Sequence, residues 1–496
     1  MLRTLAPQQS LWAAVLPEVA RGLPPALSEL DTYLDDPVLF EPFRPYFHPS
    51  HGRPSVPLET YVRMMVLKSR YRLGYETLCA EVSDSISWRL FCKVPLGAAV
   101  PHPSTLEKAT SRCGEEAVGQ LNEALLKKAD GKKLIKLDKV RADTTVVPAN
   151  AKYPSDAGLL AKGVARLAVL SSRLRSMGFA ARTKARDRRR SMNARAYSIG
   201  TWLRRRTDEA KDEVLAITAE MASIAEAALS DAAKVAVNSA RAVRRRGEAA
   251  SGRARATLAE LEDVAATLAK VIAQANERVA GGMPAGSERV VSYHDKDARP
   301  IRKGRIGKPV EFGYKAQVVD NSDGVVLDYQ VLKGNPADAP LLGPAVRRVK
   351  ARFGRAPRAV AADRGYSGAG VEVELEQMGV NKVVIPRKGK PSAARKKAES
   401  APGFRKLVKW RTGCEGRIAS LKRSFGWDRS LMDGIAGTTT WCGWGIFASN
   451  SIKISHLHAA RAATPDPTSR PKPSPGRPPG TAPPGTRPPP TLLPVA

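Results

Sequence analysis

Glu415 stands in the basic stretch "WRTGCEGRIASLKRSF", four residues after Arg411 and seven before Lys422. If the stretch is helical, a rotation of about 100° per residue puts both bases within about 40° of the acid, so one face carries a carboxylate between two cations. Ile418, Leu407, Phe425 and Cys414 form an apolar stripe beside that face. Packed on a sheet, this stripe would leave Glu415 at the sheet's edge. Two more acids belong to segments that read as strands, Asp143 in "IKLDKVRADTTVV" and Asp363 in "RAVAAD", each expected where a strand leaves the sheet. A single Asp at a strand end is usually a turn former. Three acids converging on one edge differ, because like charges brought together repel and need a cation. Oxygen ligands without Cys or His favour Mg²⁺ or Mn²⁺. Two such ions can activate an attacking oxygen and stabilise a leaving one in phosphoryl transfer, with Arg411 and Lys422 holding substrate phosphates.

The charge balance agrees with a phosphate-rich substrate. Lys and Arg number 81 against 48 acids, a formal charge of +33. Such an excess attracts polyanions, nucleic acid first and an anionic membrane second. The most apolar stretch, "WCGWGIFASNSIKI", is interrupted by Ser, Asn and Lys short of the roughly 20 apolar residues a spanning helix needs, so it reads as core and no membrane is expected. The N-terminus shows no export pattern, which predicts a cytoplasmic protein. Five cysteines without any C-x-x-C pair read as buried free thiols, and "HPSH" (His48, His51) as a loop.

The elements that must position these acids follow from periodicity. Residues 1–130 read as helical, with Leu58, Val62, Met65 and Val66 on one face and Ser104 and Glu107 at capping-box spacing. Short helices around Gly74 suit a DNA reader and any small helical bundle alike. Between about 158 and 288 the pattern changes to heptads: Val214, Ile217, Met221, Ile224 and Ala228, then Leu258, Leu261, Ala265, Leu268 and Ile272. These predict a long helical hairpin inserted into a sheet domain. Its basic run, including Arg188, Arg189 and Arg190 beside Tyr197 and Trp202, suggests phosphate contact. Strands resume after "GGMPAGS", with "NSDG" as a hairpin turn, and one helix is expected over 404–426. The domains are then 1–130, helical; 131–157 with 289–460, a mixed sheet flanked by helices; 158–288, the basic insertion; and 461–496, a disordered Pro-rich tail.

The spacing R-x3-E-x6-K from Arg411 through Glu415 to Lys422 resembles the Y-x2-R-x3-E-x6-K signature of bacterial insertion-sequence DDE transposases, with Val408 where the signature has Tyr. "RADTTVV" and "ADRGYSG" resemble the segments around that family's first and second Asp. "FRPYFHPSHGRPSVPLETYVRMMVLKSRYRLGYETLCAEV" resembles its InsH-type helical N-terminal domain, and "KPVEFGYKAQVVDNSDGVVLDYQVLKGNPADAP" looks like the ISNCY-type branch. The resemblance covers about residues 35–455. It implies an α+β, RNase H-like catalytic domain that binds terminal inverted repeats, hydrolyses a strand at each end and joins the 3′-OH to target DNA. Asp143, Asp363 and Glu415 would be the catalytic metal ligands, holding two Mg²⁺ or Mn²⁺ ions. Arg411, Lys422, Arg364, Tyr366 and Arg188–Arg190 are the candidate DNA contacts. Asp138, His294 and Lys315 rank below them. Synapsis of two ends implies a homodimer or larger assembly on DNA, beside the nucleoid. Two other classes stay open: a non-catalytic basic DNA-binding protein, and an RNase H-like nuclease without strand transfer.

Overall fold

The computed structural model describes Pro17 and residues 22–247, 251–303 and 309–462. The tail expected from 461 lies outside these residues, apart from the two that finish the last helix. In chain order the N-terminal helices are α1 (Pro25–Leu34), α2 (Leu58–Tyr71), α3 (Tyr75–Asp84), α4 (Ile86–Phe91) and α5 (Pro103–Gly131). The strand β1 (Val140–Pro148) follows, then α6 (Asp156–Ser176), α7 (Arg189–Trp202), α8 (Asp208–Arg246) and α9 (Gly252–Val279). The chain returns through β2 (Arg299–Arg302), β3 (Val310–Asn321) and β4 (Val326–Leu332) to α10 (Ala339–Phe353), β5 (Ala359–Ala362), α11 (Val371–Gln377) and β6 (Lys382–Val384). It ends in α12 (Ala393–Ser400), α13 (Pro402–Arg411), α14 (Gly413–Ser424) and α15 (Gly434–Ala462).

The sheet is mixed, in the order β2-β3-β1-β5-β6, with β4 also on β3. β1 and β3 are antiparallel from Val140↔Asn321 to Pro148↔Gly313, whereas β1 and β5 run parallel only from Val140↔Val360 to Ala142↔Ala362. The hairpin expected at "NSDG" is present, closed by Asn321, whose Oδ1 accepts from Asp323 N and Val325 N. β2 is a strand that periodicity missed, since four residues with a Pro among them carry almost no alternation. The cap of α5 is His102, which accepts from Ser104 N, so Ser104 lies inside the helix rather than capping it.

The N-terminal helices and the sheet share one core, running from Leu30 through Val140, Val318 and Val360 to Phe447 and Ile454. The apolar stretch near the C-terminus is α15, buried through its middle. Its Asn450 accepts from Val326 N at 2.9 Å and donates to Val326 O at 2.8 Å, closing the free edge of β4. Among the described residues no helix is long and apolar enough to cross a membrane. All five cysteines are buried and unpaired.

The insertion is a four-helix bundle rather than a hairpin. Both heptad seams are present, and α6 supplies a third wall through Leu160, Val164, Leu167, Leu170 and Leu174, all in a second core apart from the first. The Gly and Ser residues of α6 blur its stripe in the sequence. The stems of the bundle touch: Arg289 donates to Pro154 O at 3.4 Å, and Arg278 pairs with Asp156 at 3.1 Å.

Candidate active site

Asp143 is the fourth of nine residues in β1, not its last, because pairing with β3 carries the strand on to Pro148. The partner on the other side stops earlier. Ala142 and Ala362 are the last paired residues of β1 and β5, so Asp143 and Asp363 are each the first residue beyond that pair on adjacent parallel strands. Asp363 leaves the sheet there and caps the turn at 364–366, its Oδ1 accepting from Gly365 N at 2.7 Å.

Arg141, Asp143 and Thr145 share one face of β1. Arg141 reaches its cross-strand neighbour Asp320 through two bonds, Nε to Oδ1 at 2.8 Å and Nη2 to Oδ2 at 2.9 Å, and Asp320 is fully buried. The third nitrogen, Nη1, donates to Trp410 O at 2.8 Å, while the Trp410 ring lies 4.7 Å from the guanidinium. That carbonyl would serve the next helical turn in an unbroken helix. Taking it away splits the single helix expected over 404–426 into α13 and α14. Just past the break Glu415 N bonds to Thr412 O at 3.1 Å, three residues back rather than four, a tightened turn. A Cβ at Gly413 would meet Arg141 Nη1, so a larger residue at the break would displace that guanidinium.

The break aims Arg411 back at the sheet. Its Nη1 donates to Asp143 Oδ2 at 3.2 Å, and its Nη2 lies 4.0 Å from Glu415 Oε1, so the guanidinium sits between two acids. Burial pushes the Asp143 carboxyl up to about 6; the Asp363 and Glu415 charges add to this, and Thr144 N–H and Arg411 oppose it. Asp143 therefore feels the charge of both other acids. The donor chemistry of the three suits a hard divalent cation. Among the described residues no three His, Cys, Asp or Glu side chains are gathered closely enough to hold a metal. Asp143 is 15% exposed and held on both oxygens, whereas Glu415, at 72%, has room to turn.

Residues 21–112 match a family model described as "Transposase domain (DUF772)", and residues 286–451 match "Transposase DDE domain". Both are transposase domains. These matches support an insertion-sequence transposase, an enzyme acting on DNA. The second begins after the bundle and includes Asp363 and Glu415, while Asp143 precedes it. No curated protein and no solved structure matches the chain.

A fourth carboxylate, Asp338, was missed in the sequence. It precedes α10, and its Oδ1 accepts from Lys315 Nζ at 2.6 Å and Thr144 Oγ1 at 3.1 Å. Its Oδ2 and Asp363 Oδ1 stand 3.1 and 2.9 Å from the place a Cβ on Gly365 would occupy, so this glycine lets the two acids approach. The available signal was Lys315. An inward lysine in a strand as apolar as "YKAQVV" needs a counter-ion, and "GNPADAP" supplies one.

Tyr366 corrects an expectation. It is fully buried, and its hydroxyl accepts from Gln317 Nε2 at 3.2 Å, which leaves its ring no surface to offer DNA. Arg364 beside it is exposed, and Lys422 is half-buried on α14. Asp138 precedes β1 in an exposed bend and accepts from Ser322 Oγ at 2.8 Å. Arg188, Arg189 and Arg190 belong to the bundle. Arg188 pairs with Asp231 at 2.6 Å and Arg189 with Asp187 at 2.6 Å; Arg190 is exposed.

Proposed function

We propose that this chain is a DDE transposase of the ISNCY-like kind, which binds the terminal inverted repeats of its element, cleaves a strand at each end and transfers the end to target DNA. One observation carries the reading. Asp143 and Asp363 are adjacent at the point where two parallel strands stop pairing, and Glu415 is linked to Asp143 through Arg411. Sites in open sheets collect at such strand ends. The antiparallel run β4-β3-β1 continued by parallel β5 and β6 is consistent with an RNase H-like sheet.

The matched DDE family generally uses divalent metal ions. When bound, Mg²⁺ or Mn²⁺ held by Asp143, Asp363 and Glu415 would supply Lewis-acid activation of a phosphate-bound oxygen. Arg411 balances the acids' charge beforehand. Arg364 and Lys422 hold DNA phosphates on either side. Asp338, neutralised by Lys315, fixes Thr144 and with it the backbone at Asp143. Because two ends must be brought together, the working form is a homodimer or larger assembly on DNA, in the cytoplasm beside the nucleoid.

The test is a strand-cleavage and strand-transfer assay on end-containing duplex with Mg²⁺. Replacing Asp143, Asp363 or Glu415 by Ala should lower both reactions at least roughly a thousandfold, several kcal/mol of lost transition-state stabilisation, and leave duplex binding largely intact. A variant that still cuts at the native rate removes that residue from the site. Cleavage without joining would point to a nuclease instead.

A further inference from the structure

The loop after α6 and the end of α8 meet at the far tip of the bundle around an open cleft of about 1160 Å³. Arg182 from the loop and Arg241, Arg244, Arg245 and Arg246 from α8 line it, and all five are exposed. Among the described residues no acid lines the cleft. Arg246 is committed to the fold, donating to Gly178 O at 3.3 Å and lying 4.4 Å from the Phe179 ring centre. Asn238 Nδ2 bonds Thr183 Oγ1 at 3.0 Å and holds the loop against α8. Among the described residues, Arg182, Arg241, Arg244 and Arg245 have no carboxylate partner.

Cations near a helix C-terminus interact favourably with its dipole, and this accounts for part of the run at 244–246. It does not account for Arg182, which comes from another element, or for Arg241, more than a turn earlier. Like charges left together on a braced surface cost stability unless a polyanion is to meet them. We infer that this cleft is a phosphodiester-binding site for duplex DNA, and that the insertion grips DNA here rather than through Arg188–Arg190, whose first two members are neutralised by Asp231 and Asp187. The 21 residues of α6 separate the tip from the base of the bundle by about 30 Å, close to one turn of duplex. The contact therefore falls about a helical turn away from DNA lying at the base. This inference rests on the transposase reading for its ligand, and the two can fail separately.

The experiment measures affinity and its salt dependence on the full chain, by fluorescence anisotropy with duplex carrying the element's end and with unrelated duplex of equal length. Changing Arg182, Arg241, Arg244 and Arg245 together to Ala should weaken binding at least tenfold and reduce the slope of log affinity against log salt by about one unit for each phosphate no longer neutralised. Lys at the same four positions should restore the slope, which separates charge from folding. Arg189→Ala should change neither. A decrease confined to end-containing duplex assigns the cleft to the element's end, and an equal decrease on both assigns it to flanking or target DNA. An unchanged slope in the Ala variant overturns the inference. If the slope is unchanged while Asp143→Ala still abolishes cleavage, the cleft fails and the transposase reading stands.

Discussion

The sheet edge and the tip of the insertion are both crowded with arginine, but they treat it in opposite ways. At the edge the cations are assigned: Arg141 to Asp320, Arg411 to Asp143, Lys315 to Asp338. At the tip five arginines line a cleft that holds no acid among the described residues, and four of them have no carboxylate partner there. The density of basic residues looks similar in the sequence, and only the partners distinguish a structural cation from one available to a ligand. The first kind shapes acids into a site; the second presents charge to solvent.

The largest way to break this contrast is to unpair the edge. Arg141→Ala leaves Asp320 buried with only Arg417, 3.7 Å away, as a charge partner, and returns Trp410 O to the helix. A loss of about 3–5 kcal/mol in denaturant unfolding is expected, with most of it recovered by Arg141→Met combined with Asp320→Leu. A small loss would mean that the pair does not hold the break between α13 and α14.

The separateness of the two cores is tested next. Leu261→Ala, at a fully buried position in the bundle, should cost about 2–5 kcal/mol. Hydrogen exchange should quicken in α6, α8 and α9 and stay unchanged in β1 and β3. Equal quickening in both regions would show one cooperative unit.

Asp143 gives a pH signature. Its folded value, about 6, lies above the ordinary 3.8, so its contribution to stability is complete below pH 4 and is lost as pH rises through 6. Asp143→Asn should therefore gain on the native chain as pH rises from 4 to 7 without divalent ions, by at most about 3 kcal/mol. Added Mg²⁺ should shrink that gain, and a pH-independent difference would remove burial and carboxylate repulsion as its cause. The smallest effect belongs to Arg189→Ala, whose solvent-screened pair with Asp187 should leave the melting temperature unchanged in thermal melts.

Part of this arrangement could be read from residue order. The NSDG hairpin, both long insertion helices and the placement of Asp143 on a strand and Asp363 at the end of one have strong local patterns. What escaped is what depends on distant partners. The break at Thr412 comes with the carbonyl of Trp410 being engaged by a guanidinium 269 positions before that tryptophan, and helix periodicity carries no trace of that. Asp143 reads as a strand end because its polar side chain interrupts the alternation, yet β3 keeps pairing past it. Tyr366 lies beside Asp363 in sequence and projects into the core, since the turn that exposes Arg364 buries the residue two places on. Asp338 resembles an ordinary residue ahead of a helix until Lys315 is placed against it.

The touching stems of the bundle have a consequence for how such a chain can change. Because the polypeptide departs at Pro154 and comes back at Arg289 through neighbouring points, the sheet experiences the whole excursion as a short closed loop. Lengthening, trimming or exchanging the helices between those points adds little closure entropy and shifts no strand register. The sheet domain and the inserted bundle are thus free to diverge at different speeds, because neither fixes the length or packing of the other.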